Sequence, residues 1–216
     1  MSLLPILLIL VLGGVAIYVI VQAMRPASDG LVILSGSQES TQTSSFSGKV
    51  PLSLNQPEGL VYTYSGWLLV RDFTTGYGQK RQIFSKGDSP GLYLDSTSNS
   101  MMVSVKTYGS TETILIPNIP AQKWIHFVVT VNQYAVDIYI NGILRQHHTL
   151  SQLPDLTDDA IQVGGDWNGV LGRMSYYPRA LRTDEIARLA AEEPPSDLYK
   201  QPARPQYFDM KWYINS

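Results

Sequence analysis

Two consecutive segments decide the fold of this chain: Trp124-Ile125-His126-Phe127-Val128-Val129-Thr130-Val131 and Val136-Asp137-Ile138-Tyr139-Ile140-Asn141-Gly142. Apolar side chains occupy every second position along both segments, which is typical of a β-strand with one buried face. The Asn-Gly pair favours a two-residue hairpin, because a type I′ turn needs positive φ at both central residues. We therefore predict a three-strand antiparallel meander from Trp124 to Leu150.

Short apolar runs continue on both sides of this meander, separated by turn-forming residues about every ten positions, a spacing typical of all-β sandwiches and barrels. They predict further strands at 60–73, 81–86, 91–94, 101–107, 112–116, 160–163 and 169–177. Only one segment predicts a helix of a globular domain. Thr183 caps Asp184 to Ala191, and Ile186 and Leu189 form the apolar stripe of that helix.

Composition limits the possible functions. The 216 residues leave room for one domain with flanking segments. The 16 Lys and Arg residues against 18 Asp and Glu residues give a net charge of −2, which argues against nucleic acid as a partner because phosphate binding needs a basic surface. The absence of cysteine excludes disulfides, thiolate metal sites and cysteine nucleophiles.

The N-terminus predicts a membrane anchor in residues 1–25. Fourteen of the 19 residues from Leu3 to Val21 are Leu, Ile or Val, and no charged side chain occurs in residues 2–24. Such a run is close to the length that crosses a bilayer, so we expect lipid contact through residues 3–24. Representative contact residues are Leu3, Leu7, Leu10, Ile17 and Val21. The alternative is a cleaved signal peptide ending near Val21-Gln22-Ala23.

The orientation of this single-pass protein follows from its nearest charge. Arg25 is the one basic residue beside the apolar run, so the positive-inside rule places the large domain on the cytosolic side. The chain also has no cysteine and no Asn-x-Ser/Thr acceptor, as expected of a domain that does not cross the secretory pathway.

Two segments flank the predicted domain. Residues 26–58 are rich in Ser, Thr, Gly and Pro and predict a flexible tether. Within it, the apolar run Leu31 to Leu34 either forms an edge strand of the sandwich or is part of the tether. Residues 194–216 contain four prolines, and the last ten of them contain four aromatic residues, Tyr207, Phe208, Trp212 and Tyr213. This tail either packs on its own sandwich or docks on a neighbouring protein.

Four stretches carry a resemblance to a known family. They are Ser65 to Val70, Gly91 to Leu94, Lys123 to Gly142, and Ile161 to Ile186, the last with its Arg-Ala-Leu-x-x-x-Glu-Ile element. In this order, they resemble the laminin-G-like branch of the concanavalin A-like lectin/glucanase superfamily over residues 59–193. The resemblance implies an antiparallel two-sheet jelly roll, followed here by one short helix.

The same resemblance bears on catalysis. Glucanases of this superfamily use carboxylates spaced Glu-x-Asp-x-x-Glu on one strand. None of the glutamates of this chain opens that pattern. We therefore expect a protein without enzymatic activity.

Two candidate sites stand out in the stretch 155–168. Asp158, Asp159 and Asp166 are oxygen ligands that could hold calcium, as some laminin-G-like domains do, or they are solvated acidic turns. No other cofactor is expected. Trp167 and Asn168 lie on a predicted loop, where the indole either stacks on a sugar or partner, or is buried against the adjacent sheet.

The sequence thus predicts a membrane-anchored interaction module. Its topology resembles that of anchored proteins in large DNA viruses with an internal membrane, which implies a structural role between that membrane and a protein layer, for example as a minor capsid protein. The alternative is a lectin-like receptor that binds glycan through the rim loops. A hydrolase with an unrecognised site is the third hypothesis.

Overall fold

The computed structural model describes residues 11–18, 30–50 and 60–198. The chain divides into two units, Met1–Gly30 and Leu31–Ser216. In the first unit, residues 11–18 form helix α1, which includes Ile17. Within the described ranges, no helix has the length and apolar character needed to cross a membrane. The predicted anchor residues Leu3, Leu7, Leu10 and Val21 lie outside the described residues, so the anchor stays a prediction.

The second unit contains two antiparallel six-stranded sheets, which confirms the predicted all-β two-sheet sandwich. The first sheet has, in spatial order, β1 (Leu31–Glu39), β12 (Gly169–Tyr177), β3 (Val61–Val70), β8 (Trp124–Asn132), β9 (Ala135–Ile140) and β10 (Ile143–Thr149). The second has β2 (Ser44–Phe46), β11 (Ile161–Val163), β4 (Arg81–Ser85), β5 (Gly91–Leu94), β6 (Met101–Lys106) and β7 (Thr111–Ile116). The short C-terminal helix α2 spans Thr183–Ala191.

Apolar side chains from both sheets meet in one core. Its aromatic centre includes Tyr64, whose ring stacks on Phe84 with centroids 5.1 Å apart, and Phe127, which stacks on Phe84 at 6.1 Å. Every residue of β3 is buried, although successive strand residues point to opposite faces. A second apolar cluster explains this burial, since Trp67, Leu69, Trp124 and Val170 pack separately from the main core.

Helix α2 and its preceding turn are held to the first sheet. The hydroxyl of Thr63 donates to the carbonyl oxygen of Arg179 at 2.9 Å and accepts from the backbone N–H of Leu181 at 3.3 Å. Ile186 is fully buried. The helix begins one residue earlier than predicted, with Arg182 rather than Thr183 at the N-cap, because the Glu185 carboxylate reaches back to the Arg182 N–H at 2.8 Å.

Part of the segment expected to be a tether is folded. β1 pairs with β12 from Leu31 opposite Tyr176 to Glu39 opposite Val170, and β2 pairs with β11. This moves the start of the domain from the predicted residue 59 to Leu31. The strand escapes pattern analysis because its register shifts twice and its Ser and Gly residues interrupt the alternation. An edge strand tolerates such irregularity.

The predicted meander is confirmed. β8 pairs with β9 and β9 with β10, and the turn has positive φ at Asn141 (51°) and Gly142 (79°), as a type I′ hairpin requires. Glycine adopts such values without the steric cost of a Cβ. The hairpin therefore has a fixed geometry where it reaches the end of the sandwich.

The edge strands β7 and β10 close one side of the sandwich. The side-chain amide of Gln146 donates to the carbonyl oxygen of Leu115 at 3.3 Å. The imidazole of His148 lies 2.8 Å from one carboxylate oxygen of Glu112. The other carboxylate oxygen accepts from the backbone N–H and the hydroxyl of Ser151. The hydrogen bonds from His148 and Ser151 lower the pKa of Glu112. We call this junction the β7/β10 seam.

Candidate binding site

A surface cavity of about 290 Å³ lies at one end of the sandwich, next to the β7/β10 seam. The loop from β7 to β8 forms one wall, and the β9–β10 hairpin forms the other. The lining residues are Asn118, Ile119, Pro120, Ile125, Ile140, Asn141, Ile143 and Arg145. A concave site with apolar walls and a few polar groups is the usual form of a ligand pocket.

The walls of the cavity are mainly isoleucine. Ile119, Ile125 and Ile140 are buried and also belong to the main core, so the apolar wall is continuous with the rigid interior. The loop is held in place by the backbone N–H of Ile119, which donates to the carbonyl oxygen of Asn99 at 2.8 Å. Ile143 lies at the mouth and is 66% exposed. The site is therefore preformed.

Two asparagines supply polar groups where the backbone takes left-handed conformations. Asn118 has φ of 62° and Asn141 has φ of 51°, values that asparagine tolerates better than most residues. The side-chain oxygen of Asn141 accepts from the backbone N–H of His126 at 2.8 Å. That bond orients the side-chain amide, and its NH₂ group is a donor without a partner among the described residues.

Arg145 contributes the one charge of the lining. It lies where the β9–β10 register shifts between Leu144 and Gln146, and its side chain is exposed. Within the described part of the chain, its guanidinium makes no hydrogen bond or ion pair. Other arginines are paired, for example Arg71 with Glu39 at 2.6 Å and Arg179 with Glu185 at 2.8 Å. The cavity thus carries a cation that is not paired with an acidic side chain of the described residues.

The lining offers donors and apolar surface but no catalytic pair. It contains no carboxylate, imidazole or hydroxyl, the groups that act as general acids, bases or nucleophiles. The arrangement can bind a group with apolar and hydrogen-bond-accepting parts. It has no means of its own to transfer a proton.

The predicted contact residue Trp167 is elsewhere and is buried. Its side chain is 0% exposed, and its indole N–H donates to the carbonyl oxygen of Gln82 at 2.7 Å. The ring face is therefore not available to a sugar or partner, which corrects the expectation of a stacking role. The alternative reading, burial against the adjacent sheet, is the one that the structure shows.

Asn168 belongs to a polar network of the rim. Its side-chain NH₂ donates to the carboxylate of Asp72, and its oxygen accepts from Arg71 at 3.4 Å. Backbone and side-chain hydrogen bonds from Thr75 and Thr74 hold the pKa of Asp72 well below its usual range. The network fixes the loop after β3. Asn168 is thus engaged within the protein.

The three aspartates proposed as calcium ligands do not converge. Asp159 lies against Gly87, whereas the backbone of Asp166 lies against Gly76, in the loop after β3. Across residues 11–18, 30–50 and 60–198, no three His, Asp or Glu side chains are grouped to hold a metal ion. The predicted tail contacts Tyr207, Phe208, Trp212 and Tyr213 lie outside the described residues.

Sequence reasoning did not single out Asn118 or Arg145. Asn118 follows Pro117 in a loop, and Arg145 occurs within a predicted strand, so each has an unremarkable local setting. They share one cavity only because β10 folds back beside the loop after β7. One weak sequence feature could have pointed to Arg145 as a binding residue. It stands between the apolar pair Ile143-Leu144 and the polar half of β10.

Known proteins share this fold. A laminin G-type family model, described as the concanavalin A-like lectin/glucanases superfamily, matches residues 29–187. No curated protein matches in sequence. Among solved structures, the binding domain of Paraclostridial mosquitocidal protein 1 is 16% identical, with a TM-score of 0.55 over 77% of this chain and 46% of that one.

Two botulinum neurotoxin structures are similar to the same extent. One is neurotoxin type C, whose cell entry depends on interaction with two ganglioside molecules, at 14% identity, a TM-score of 0.54, and coverage of 75% of this chain and 50% of that one. The other is the binding domain of neurotoxin DC in complex with rat synaptotagmin II. It is 14% identical, with a TM-score of 0.54 and coverage of 75% of this chain and 51% of that one. This chain thus spans about half the length of these relatives.

Proposed function

Because the chain belongs to the concanavalin A-like lectin/glucanase superfamily, we propose that it is a binding module rather than an enzyme, and that the cavity holds its partner. The observation that carries this proposal is the lining itself. Buried isoleucines and the donors of Asn118, Asn141 and Arg145 converge without an acid, base or nucleophile. Fold alone does not define function, so the site is what matters.

The surroundings of the cavity favour a protein partner. Ile143 at the mouth, its neighbour Leu144 and, across the β7/β10 seam, Leu115 are 66%, 48% and 47% exposed. Apolar surface next to a pocket is typical of protein interaction sites. The binding of synaptotagmin II by the neurotoxin DC domain gives a precedent for a protein partner in this fold.

Membrane attachment completes the proposed role. The apolar segment 3–24 would hold the chain in a bilayer as a single-pass protein, with the domain on the cytosolic side. Leu31 enters the first sheet opposite Tyr176 on the edge strand β1, whereas the cavity lies beside β8, β9 and β10, toward the other edge of that sheet. The domain would then tether a membrane to a protein layer, as a minor capsid protein over an internal viral membrane would.

Glycan binding is the second candidate function. It is supported by the dependence of neurotoxin type C on two gangliosides. Lectin sites commonly stack sugars on aromatic rings, and the cavity lining has no aromatic residue. The exposed Tyr77, Tyr108 and Tyr134 lie outside the lining. The cavity itself therefore favours protein over sugar.

Site-specific photo-crosslinking in the native membrane tests the proposal. p-Benzoylphenylalanine replaces Ile143 at the cavity mouth and, as a control, the exposed Tyr108, whose loop lies at the start of β7. We expect a product of defined mass from position 143 alone, removed by protease but not by glycosidase. Equal products from both positions would contradict a site at the cavity, and a glycosidase-sensitive product would favour glycan binding.

A further inference from the structure

We infer that the cavity is selective for an acidic segment of the partner protein: a partner carboxylate pairs with Arg145 while an adjacent apolar side chain packs on Ile119, Ile125 and Ile140. The inference rests on the proposed function, since it assumes that a protein occupies the cavity. It adds the chemical class of the bound segment.

The polar side of the cavity matches a carboxylate. Arg145 has no partner among the described residues, and an arginine can bind a carboxylate through two parallel N–H···O bonds. The hydrogen bond from the His126 N–H to its side-chain oxygen orients Asn141, whose side-chain NH₂ group has no partner among the described residues. A group that accepts several hydrogen bonds and carries negative charge satisfies both residues, whereas a cationic group would be repelled.

Two carboxylates, on β7 and on β9, form hydrogen bonds with histidines. Glu112 on β7 binds His148 and Ser151, and Asp137 on β9 lies 2.6 Å from His147. No carboxylate lines the cavity itself. The charge of Arg145 is therefore not cancelled by an acid of its own lining, and charge complementarity with an acidic partner remains available.

The apolar side limits the size of the group that enters. A volume of about 290 Å³ is at the lower end of the range of small-molecule pockets, roughly 300 to 1,000 Å³. Such a space suits one or two side chains better than an extended ligand. Ile143 at the mouth adds an exposed apolar contact. The sequence favoured in a partner is thus an acidic residue next to Leu, Ile or Val.

The test uses the full chain in detergent micelles and two matched peptides, acetyl-Gly-Leu-Glu-Leu-Gly-amide and the same peptide with Gln in place of Glu. NMR titration follows the Arg145 Nε–H and the side-chain NH₂ groups of Asn118 and Asn141. We expect the Glu peptide to bind about 2- to 5-fold more tightly, which is the range that an exposed arginine–carboxylate pair contributes.

Variants show whether Arg145 carries the preference. R145Q should bind both peptides equally. R145K should retain part of the difference in affinity, because lysine keeps the positive charge but cannot make the two parallel hydrogen bonds of a guanidinium. The matched control is R188Q, because Arg188 is a surface arginine on α2 that pairs with Asp184 at 2.8 Å. R188Q should keep the full preference. Unchanged preference in R145Q would overturn the inference.

Other outcomes separate this inference from the proposed function. Equal binding of the two peptides, with crosslinking retained at position 143, would overturn the acidic preference alone. Absence of peptide shifts together with absence of crosslinking would overturn both. A third probe, the methyl glycoside of N-acetylneuraminic acid, supplies a carboxylate on a sugar. Shifts at Arg145 with this probe and not with the Glu peptide would assign the site to an acidic glycan and overturn the inference.

Discussion

The side-chain oxygen of Asn141 accepts a hydrogen bond from the backbone N–H of His126 at 2.8 Å, and the backbone N–H of Asn141 donates to the carbonyl oxygen of His126 at the same distance. The residue that makes the hairpin turn is thus fixed to the central strand β8. Because Asn141 also lines the cavity, the turn that determines strand pairing determines the site geometry as well.

Replacement of Asn141 should destabilise the domain by two separable effects. N141A loses the hydrogen bond to His126, worth about 1 kcal/mol, and places alanine at φ of 51°, which costs about 1 kcal/mol more. N141G loses the bond without the steric penalty. Urea unfolding should therefore rank wild type above N141G and N141G above N141A. An N141A variant as stable as wild type would refute this account of the turn.

Trp167 should matter for stability and not for binding. W167F removes the indole N–H that donates to the carbonyl oxygen of Gln82 and reduces the packing of a fully buried side chain, at a cost of about 2 kcal/mol. Peptide binding at the cavity should stay within about 2-fold of wild type, because Trp167 is not among the lining residues. Denaturant unfolding and the NMR titration measure the two quantities. Loss of binding with unchanged stability would contradict the structural role.

Glu185 should make stability depend on pH in the acid range. Its carboxylate accepts from Arg179 twice and from the Arg182 N–H, all at 2.8 Å, and the hydrogen bonds from Arg179 lower its pKa below the usual 4.5. A lowered folded-state pKa adds stability above the unfolded-state pKa, and that stability is lost as pH falls through the folded value.

The E185Q variant isolates this effect. It should be about 1 to 2 kcal/mol less stable than wild type at pH 7, because the side chain is only 15% exposed and its bonds are charge-assisted. The gap should shrink as the pH is lowered below 4.5. Guanidinium unfolding across this range measures the gap. A gap that stays constant to low pH would mean that the charge of Glu185 contributes nothing.

His126 predicts a second pH dependence, at higher pH. Its side chain is buried, Nε2 lies 2.9 Å from the Ser65 hydroxyl, and Nδ1 has no partner among the described residues. Burial, with a smaller effect of Arg173, lowers its pKa from 6.5 to about 4. Because the unfolded chain binds the proton first, stability falls as the pH drops from 6.5 towards 4.

Between pH 7.5 and pH 5.0, this linkage should remove about 2 kcal/mol of stability from the wild-type protein. H126Q keeps a polar group beside Ser65 but does not titrate, so its stability should change less over the same interval. Urea midpoints at the two pH values provide the comparison. Identical pH dependence in the two proteins would show that His126 is not the titrating group.

Strands with local signals could be predicted from the sequence, and contacts between distant segments could not. The β8–β9–β10 meander follows from alternation and from Asn141-Gly142, which are local features. The sequence leaves an edge strand at Leu31 to Leu34 open, because its pairing partner β12 is far away in the chain and because Ser and Gly interrupt its pattern. The sequence does not decide between burial and exposure of Trp167 for the same reason, because its hydrogen-bond partner Gln82 lies on β4, far away in the chain.

The candidate site shows the same limit more strongly. Ile125 and Ile140 were expected in strands, but nothing in the sequence joins them to Asn118 or Arg145. Their meeting depends on the β7/β10 seam, where Gln146 reaches Leu115 across two different sheets. The charge of Arg145 is informative because no carboxylate shares its lining, and that lining is set by the fold and not by neighbours in the sequence.

The path of β1 has a mechanical consequence. It pairs with β12 along its length from Leu31 to Glu39, and the hydrogen bonds of an antiparallel pair lie perpendicular to the strands. A pulling force applied at Leu31 along the direction of β1 loads these bonds together in shear instead of breaking them one after another. The edge strand β1 would therefore resist a pull along its own direction better than a pull that peels it sideways from β12.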